Sequence, residues 1–415
     1  MNPWRGLKGL PREVWILSAA TLINRSGTMV LPFLVLYLSR GLGYSASQAG
    51  LALTVYGLGA LIAAPAAGRL SDRIGPRRVM IASFFVSSAL LLVYLFVKSL
   101  PAIFCLTFAW AIANEAHRPA VMSDVTRAVA PDQRKAAVAL IRLAINLGMS
   151  VGPAVAGFLA TMSFHALFAI DAATSILAGV VLARSLRGQA RAPAAAASGD
   201  HPGAAHGGHA AGHAPGHSGP RPHGGGPLTH AALMLFLAGM LPVMIVFFQH
   251  EAALPLYLVR DLGMRESLYG ALFTINTVLI IFLEVPLTTA MARWPHHRAL
   301  ALGALLNGIG FGALAFATTF PAVVATVVVW TFGEMVLLPT GAAYVADIAP
   351  DARRGEYMGL YSMTFGLAFT IGPWAGAAML DTLGPRALWA AAFLFGCLSA
   401  ALMLRLGEPR RPAAA

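Results

Sequence analysis

Arg25, Glu115 and Glu334 each sit in the middle of an apolar run, where a charge is costly unless it is paired or wetted. Arg118, Arg142, Asp171, His250, Glu251 and Glu284 lie in similar runs, nearer one end or the other. Residues of this kind bind or carry ions. A carboxyl in apolar surroundings titrates near neutral pH, and a cation arriving beside it expels its proton. Glu115 and Glu334 are therefore candidate proton carriers or cation binders. Glu115 and Arg118, three apart, share a helical face, as do Arg142 and Asn146 at four apart. Simpler roles stand beside these. Arg25 pairs structurally with Glu115, Asp171 pairs with Arg142 or faces an outer cavity, and Glu251 and Glu284 are solvated near helix ends. Asn24, Asn114, Asn146 and Asn276 either line a path or bond between helices.

The elements that must position these groups are written in the composition. Of 415 residues, 58% are hydrophobic and only 11% charged, against about a quarter charged in a soluble protein. About twelve apolar stretches of roughly 20 residues recur along the chain, each enough to cross a bilayer as helix. They are too long and too rich in Gly, Leu and Ala for barrel strands. The expected fold is an all-α polytopic membrane protein of twelve transmembrane helices in two six-helix bundles. The basic start "MNPWRGLKGLPREVW" has no small-residue cleavage site behind it and reads as a short tail before the first helix. Cys105 and Cys397 read as buried small side chains rather than a disulfide.

The net charge of +12 is unevenly spread. With the N-terminus inside, most Arg and Lys fall in cytoplasmic segments, and only Arg40, Lys98, Arg260, Arg265 and Arg386 fall outside. This positive-inside bias puts both termini in the cytoplasm and removes the need for a nucleic-acid partner. Residues 186–229, dominated by Ala, Gly, Pro and His, separate a bundle at 1–185 from one at 230–415 and read as a cytoplasmic linker. The two halves echo each other at an offset of about 220 residues. "YLSRGLGYSASQAG" (37–50) answers "YLVRDLGMRESLYG" (257–270), "APDQRK" answers "APDARR", and "VGPAVAG" answers "IGPWAG". Parallel repeats of this type put a substrate path at their interface, near mid-membrane.

The stretch "GRLSDRIGPRR" crowds four arginines and an aspartate between two apolar runs. Gly68, Asp72, Gly75, Arg77 and Arg78 form a Gly-x-x-x-Asp-x-x-Gly-x-Arg-Arg pattern that resembles the signature of the major facilitator superfamily. Gly148, Gly152, Pro153 and Gly157 resemble the glycine-proline motif of its antiporter branch. The resemblance implies that Asp72 and Arg77, with Asp124 as a third member, latch the two bundles when the protein faces outward. It also implies that the glycine-proline motif restricts leak and guides rocking. The second-half counterpart "TAMARWPHHRA" lacks the glycines and the aspartate, so the latch is expected on one side only. The implied activity is alternating-access transport driven by a proton gradient, exporting amphipathic or cationic small molecules across a bacterial inner membrane. No other cofactor is expected, and the protein is expected to be a monomer in the lipid bilayer.

His201, His206, His209, His213, His217 and His223 punctuate the linker and could gather Zn, Cu or Ni. Met240 and Met244 could offer two thioethers from one helical face, although packing is the simpler reading. These leave transition metals as an alternative cargo, beside a peptide-like or siderophore-like solute. A non-transporting membrane sensor is the alternative of a different class. No Gly-x-x-x-x-Gly-Lys-Ser/Thr loop, Gly-x-Ser-x-Gly or His-Glu-x-x-His occurs, so neither ATP use nor an enzyme is expected.

Overall fold

The computed structural model describes residues 9–130, 133–191, 227–350 and 353–407. Among them there is no strand. The first half holds α1 (Arg12–Ser26), α2 (Val30–Leu36), α3 (Ala46–Ile74), α4 (Pro76–Tyr94), α5 (Leu100–Glu115), α6 (His117–Ala128), α7 (Arg134–Met162) and α8 (Phe164–Arg191). The second holds α9 (Ala231–Phe247), α10 (Ala253–Leu256), α11 (Glu266–Ala290), α12 (His296–Ala313), α13 (Phe320–Ile348) and α14 (Arg354–Leu404).

Among the described residues nine helices are long and apolar enough to cross a membrane. The difference from the sequence expectation has local causes, one being that α12, only 18 residues long, opens on His296, His297 and Arg298. The run 101–125 is interrupted at Ala116, because Pro119 has no N–H to give the Glu115 carbonyl. Two expected spans run together as α14, joined at Gly384 with φ 79° and no intervening loop. The outer faces suit lipid: Leu177 on α8 and Leu394 on α14 are 51% and 63% exposed. Cys105 is exposed rather than buried, and neither cysteine is in a disulfide.

The internal repeat survives in the backbone. Short π-helical turns at Tyr37–Gly41 and Tyr257–Asp261 follow α2 and α10, and Gly43 (φ 77°) and Gly263 (φ 65°) end them in the left-handed region that favours glycine. Between the halves, α3 lies along α14 and α7 along α11. A methyl group added at Gly50 would sit 2.7 Å from Ala377 Cβ and 2.8 Å from the Pro373 carbonyl oxygen. At the repeat-related contact, a methyl group at Gly270 would run into the Pro153 carbonyl oxygen and lie 3.0 Å from Gly157 Cα. Glycine is thus what lets these helix pairs cross backbone to backbone.

These contacts gather at one end of the molecule, where ion pairs reinforce them. Arg40 of the first half reaches Glu266 of the second at 2.7 Å. Asp381 accepts from the backbone N–H of Ser47 at the start of α3 and from Arg260 at 2.6 Å. Toward the opposite end the same helices are free of such crowding. Methyl groups added at Gly68, Gly75, Gly355 and Gly359 would meet nothing within 4 Å.

Candidate functional site

Two broken rods frame the centre. α1 stops at Ser26, Gly27 follows it where a side chain would collide with Thr174, and α2 restarts at Val30. The Asp171 carboxylate accepts from the backbone N–H groups of Met29 and Val30, both at 3.1 Å, so it caps the restarted helix. The hydrogen-bond partners of Asp171 are thus the α2 backbone and not Arg142. In the second half α9 gives way to a 3-10 turn, Phe248–Glu251, before α10. Gln249 donates to the Gly372 carbonyl at 2.8 Å and fills the space that Gly376 leaves.

The glycine-proline motif of α7 faces two ways. Gly148 and Gly152 admit the α1 backbone at Arg25 and Ser26, while Gly157 lies against Glu266 and Gly270 of the other half. One short stretch thus links the broken first rod to the inter-half seam.

Three neighbouring cavities, of about 180, 300 and 380 Å³, share lining residues at the interface between the halves. The largest is lined on the first-half side by Arg25, Tyr56, Glu115 and Arg118. Glu115 is fully engaged: Tyr56 donates to one oxygen at 2.8 Å and Arg118 to the other at 2.9 Å. Asn114 in turn donates to the Tyr56 hydroxyl at 2.7 Å. The hydrogen-bond partner of Arg25 is the His117 Nε2, at 3.1 Å, and not Glu115 as the sequence suggested. His117 Nδ1 faces the Asn114 carbonyl oxygen, which leaves Nε2 as the acceptor. Arg25 Nε is buried without a hydrogen bond.

The second-half side is acidic and aromatic. Glu251, Glu334, His250, Phe247, Phe273 and Trp330 line the cavity of about 180 Å³. Glu334 takes one hydrogen bond from the Asn276 amide at 3.0 Å, and Asn276 also reaches Thr331. Glu251 is buried and central, not solvated near a helix end, because the rod continues through α10 and the π turn beyond it. Its Oε1 lies 3.4 Å from His250 Nε2, and its Oε2 has no hydrogen bond. Arg142 and Asn146 on α7 face Glu284 and Glu334 across the cavity of about 300 Å³. Asn24 serves packing, donating to Ser175 at 3.0 Å.

The charged loop between α3 and α4 turns at Gly75, with φ 90°, and Pro76 opens α4. Arg77 binds Asp124 at 2.8 Å, and Arg127 lies 3.6 Å from Asp72. Both pairs lie within the first half; Asp72 is three-quarters exposed and Arg78 is exposed beside it. The second half has a histidine–carboxylate contact at the corresponding place. His296 at the start of α12 meets Asp347 at the end of α13, at 3.2 Å. This contact, too, lies within one half.

The six linker histidines, His201 to His223, lie outside the described residues. Among the described residues no group of three His, Cys, Asp or Glu could hold a metal ion. Met240 and Met244 are buried in the core of the second half, among Phe236, Tyr344 and Met403.

Sequence reasoning missed Tyr56, His117 and Tyr269, and gave His250 no role. The one available signal was the "EAHRP" break around Pro119, which turns Glu115, His117 and Arg118 toward one another. Glu266 and Asp381 carried no signal, because an acidic residue at a helix end is ordinary.

A family model for the major facilitator superfamily matches residues 15–259 and 236–415. The chain belongs to this superfamily. A Bacillus subtilis relative described as an uncharacterized MFS-type transporter, YqjV, is 24% identical over 399 residues, covering 92% of this chain and 89% of that one. A Na(+), Li(+), K(+)/H(+) antiporter of Planococcus maritimus is 21% identical over 370 residues, covering 85% of each. The crystal structure of a peptide transporter, POT, in complex with sulfate shares the fold, with TM-score 0.73 and 18% identity over 98% of this chain and 97% of that one. As a superfamily member the protein is a multi-pass membrane transporter, with a lipid bilayer around it and a small-molecule substrate.

Proposed function

We propose that this transporter exchanges protons for amphipathic organic cations by alternating access in a bacterial cytoplasmic membrane. The observation that carries the reading is the second-half wall of the central cavity. Glu334 is held by an amide and Glu251 stands beside a histidine, with neither salt-bridged to an arginine or lysine, and Phe247, Phe273 and Trp330 lie beside them. Ring faces attract an organic cation, and a proton competes with it for the same carboxylate oxygens. The resemblance to an antiporter over most of both chains supports coupled exchange. With the arginine-rich loops assigned to the cytoplasm, the seal at Arg40–Glu266 is extracellular and the cavity faces inward. The Asp72–Arg127 and Arg77–Asp124 pairs join residues of the first half. A monomer suffices, because both cavity walls come from one chain.

Purified protein in liposomes carrying an internal pH-sensitive dye tests this. Ethidium uptake should drive opposing proton flux, and replacing both cavity carboxylates, Glu251→Gln with Glu334→Gln, should abolish the coupling. Glu115→Gln should weaken transport through loss of the Tyr56 and Arg118 bonds. Coupled flux that is unchanged in that double variant would sink the reading.

One observation favours a second reading. Arg25 and Arg118 line the wall facing Glu251 in the same cavity, and they outnumber Glu115 there. A solute carrying both charges, such as a short peptide, would use both walls. Flux with a neutral-pH dipeptide and none with ethidium would select it.

A further inference from the structure

We propose that His250 and Glu251, at the break of the second-half rod, form a binding site for one proton, which the incoming cation displaces. The inference rests on the cation-exchange reading above and adds the group that holds the exchanged proton. Hydrogen-bond valence is the argument. A neutral imidazole has one N–H donor and one lone-pair acceptor. His117 matches that inventory: Nδ1 faces the Asn114 carbonyl, and Nε2 accepts from Arg25 at 3.1 Å. His250 does not. Its Nδ1 lies 2.6 Å from the Phe247 carbonyl oxygen, and its Nε2 lies 3.4 Å from Glu251 Oε1. Both ring nitrogens face oxygens that only accept. A neutral His250 beside an ionised Glu251 would set a lone pair against a carboxylate, so the pair is complete only with one added proton.

The surroundings supply no competing cation at this contact. Trp330 and Phe248 stack against the His250 ring, at 6.2 and 6.3 Å between centroids, and Phe247 and Phe273 approach at 4.8 and 5.9 Å. The titratable groups of the same cavity are Glu334 on α13 and Tyr269 on α11. Arg142 and Glu284 line the cavity beyond Glu334, and Arg25, Glu115 and Arg118 line the one that Glu251 shares with the first half. Glu251 Oε2, buried and without a hydrogen bond, is the oxygen left without a partner. When a cation takes Glu251, the extra proton loses its acceptor and leaves.

The same turn touches the other half. The Tyr269 hydroxyl lies 2.9 Å from the His250 carbonyl oxygen and 3.1 Å from the Pro32 carbonyl oxygen of α2. It has one proton for two acceptors, so a shift of the His250 turn changes its bond to the first half. Proton occupancy is in this way tied to the seam between the bundles.

The test uses the full-length protein in detergent, weakly buffered, with tetraphenylphosphonium as the probe and a pH dye as the readout. Wild type should release about one proton per cation bound, and affinity should rise with pH by up to about tenfold per unit. His250→Gln should still bind the probe, release no proton and lose the pH dependence. His165→Gln, a control outside the cavity, should behave as wild type. Proton release that persists in His250→Gln overturns the site. If wild type does not bind the probe, the cation reading fails by itself, and the proton site is judged without it. Nitrogen NMR of ring-labelled histidine and the infrared carboxyl band at neutral pH should then report either an imidazolium at His250 or a protonated Glu251. A neutral His250 beside an ionised Glu251 overturns it.

Discussion

Gly50 lies where the two halves close on each other, and an alanine there should shift the protein between its facing states. The added methyl group would stand 2.7 Å from Ala377 Cβ, 2.8 Å from the Pro373 carbonyl oxygen and 3.1 Å from Trp374 Cα. Ordinary van der Waals contact begins at 3.4 Å, so α3 and α14 must separate by roughly 0.7 Å locally. Two of the three obstructing atoms are backbone, and no rotamer change relieves them. Separation also stretches the bond from Thr54 to the Thr370 carbonyl, now 2.6 Å. Overpacking of this kind costs about 1–3 kcal/mol. The clash exists only while this end is closed, so the whole penalty falls on the closed state, and the ratio of states moves about 5- to 150-fold. Spin labels at Lys98→Cys and Thr318→Cys, at the same end of the two halves, read this out in a Cys105→Ser, Cys397→Ser background. The distance distribution should gain a longer component in Gly50→Ala. Gly355→Ala, whose methyl group meets nothing within 4 Å, should leave it unchanged. An unaltered distribution in folded Gly50→Ala protein would refute the argument that close backbone contact holds this end shut.

Two further outcomes follow from the geometry. Arg40→Ala should open the same end less than Gly50→Ala does, by about 0.5–1 kcal/mol, because Arg40 is half exposed and water screens its pair with Glu266. The same distance measurement checks it, and the effect should shrink in high salt. Asp171→Ala should cost about 1–2 kcal/mol of stability by uncapping α2, seen as a lower melting midpoint, with affinity for tetraphenylphosphonium kept. Lost affinity at an unchanged midpoint would return Asp171 to the cavity.

Much of this architecture was legible in the residues. Hydropathy alone dictates spanning helices, because a chain with so few charges cannot leave its backbone unpaired in lipid. The repeat was visible as matched letters, and the Gly43 and Gly263 turns show why those letters recur: both need a backbone that glycine adopts most readily. The carboxylates of the cavity were legible too, because an ionisable group in an apolar run is rare enough to mark itself. What the sequence could not rank was their partners. Glu115 and Glu334 look equivalent as letters, yet one is held by Arg118 and Tyr56 and the other by an amide. Asp171 and Glu251 exchanged expectations for the same reason. A capping role depends on where another helix breaks, and a central one on whether its own rod continues. Hydrophobic periodicity is a property of one helix and is set along the chain. Hydrogen bonds and ion pairs reach only about 3 Å, so which charge meets which is decided by helix packing across distant segments, and that exists only in the tertiary structure.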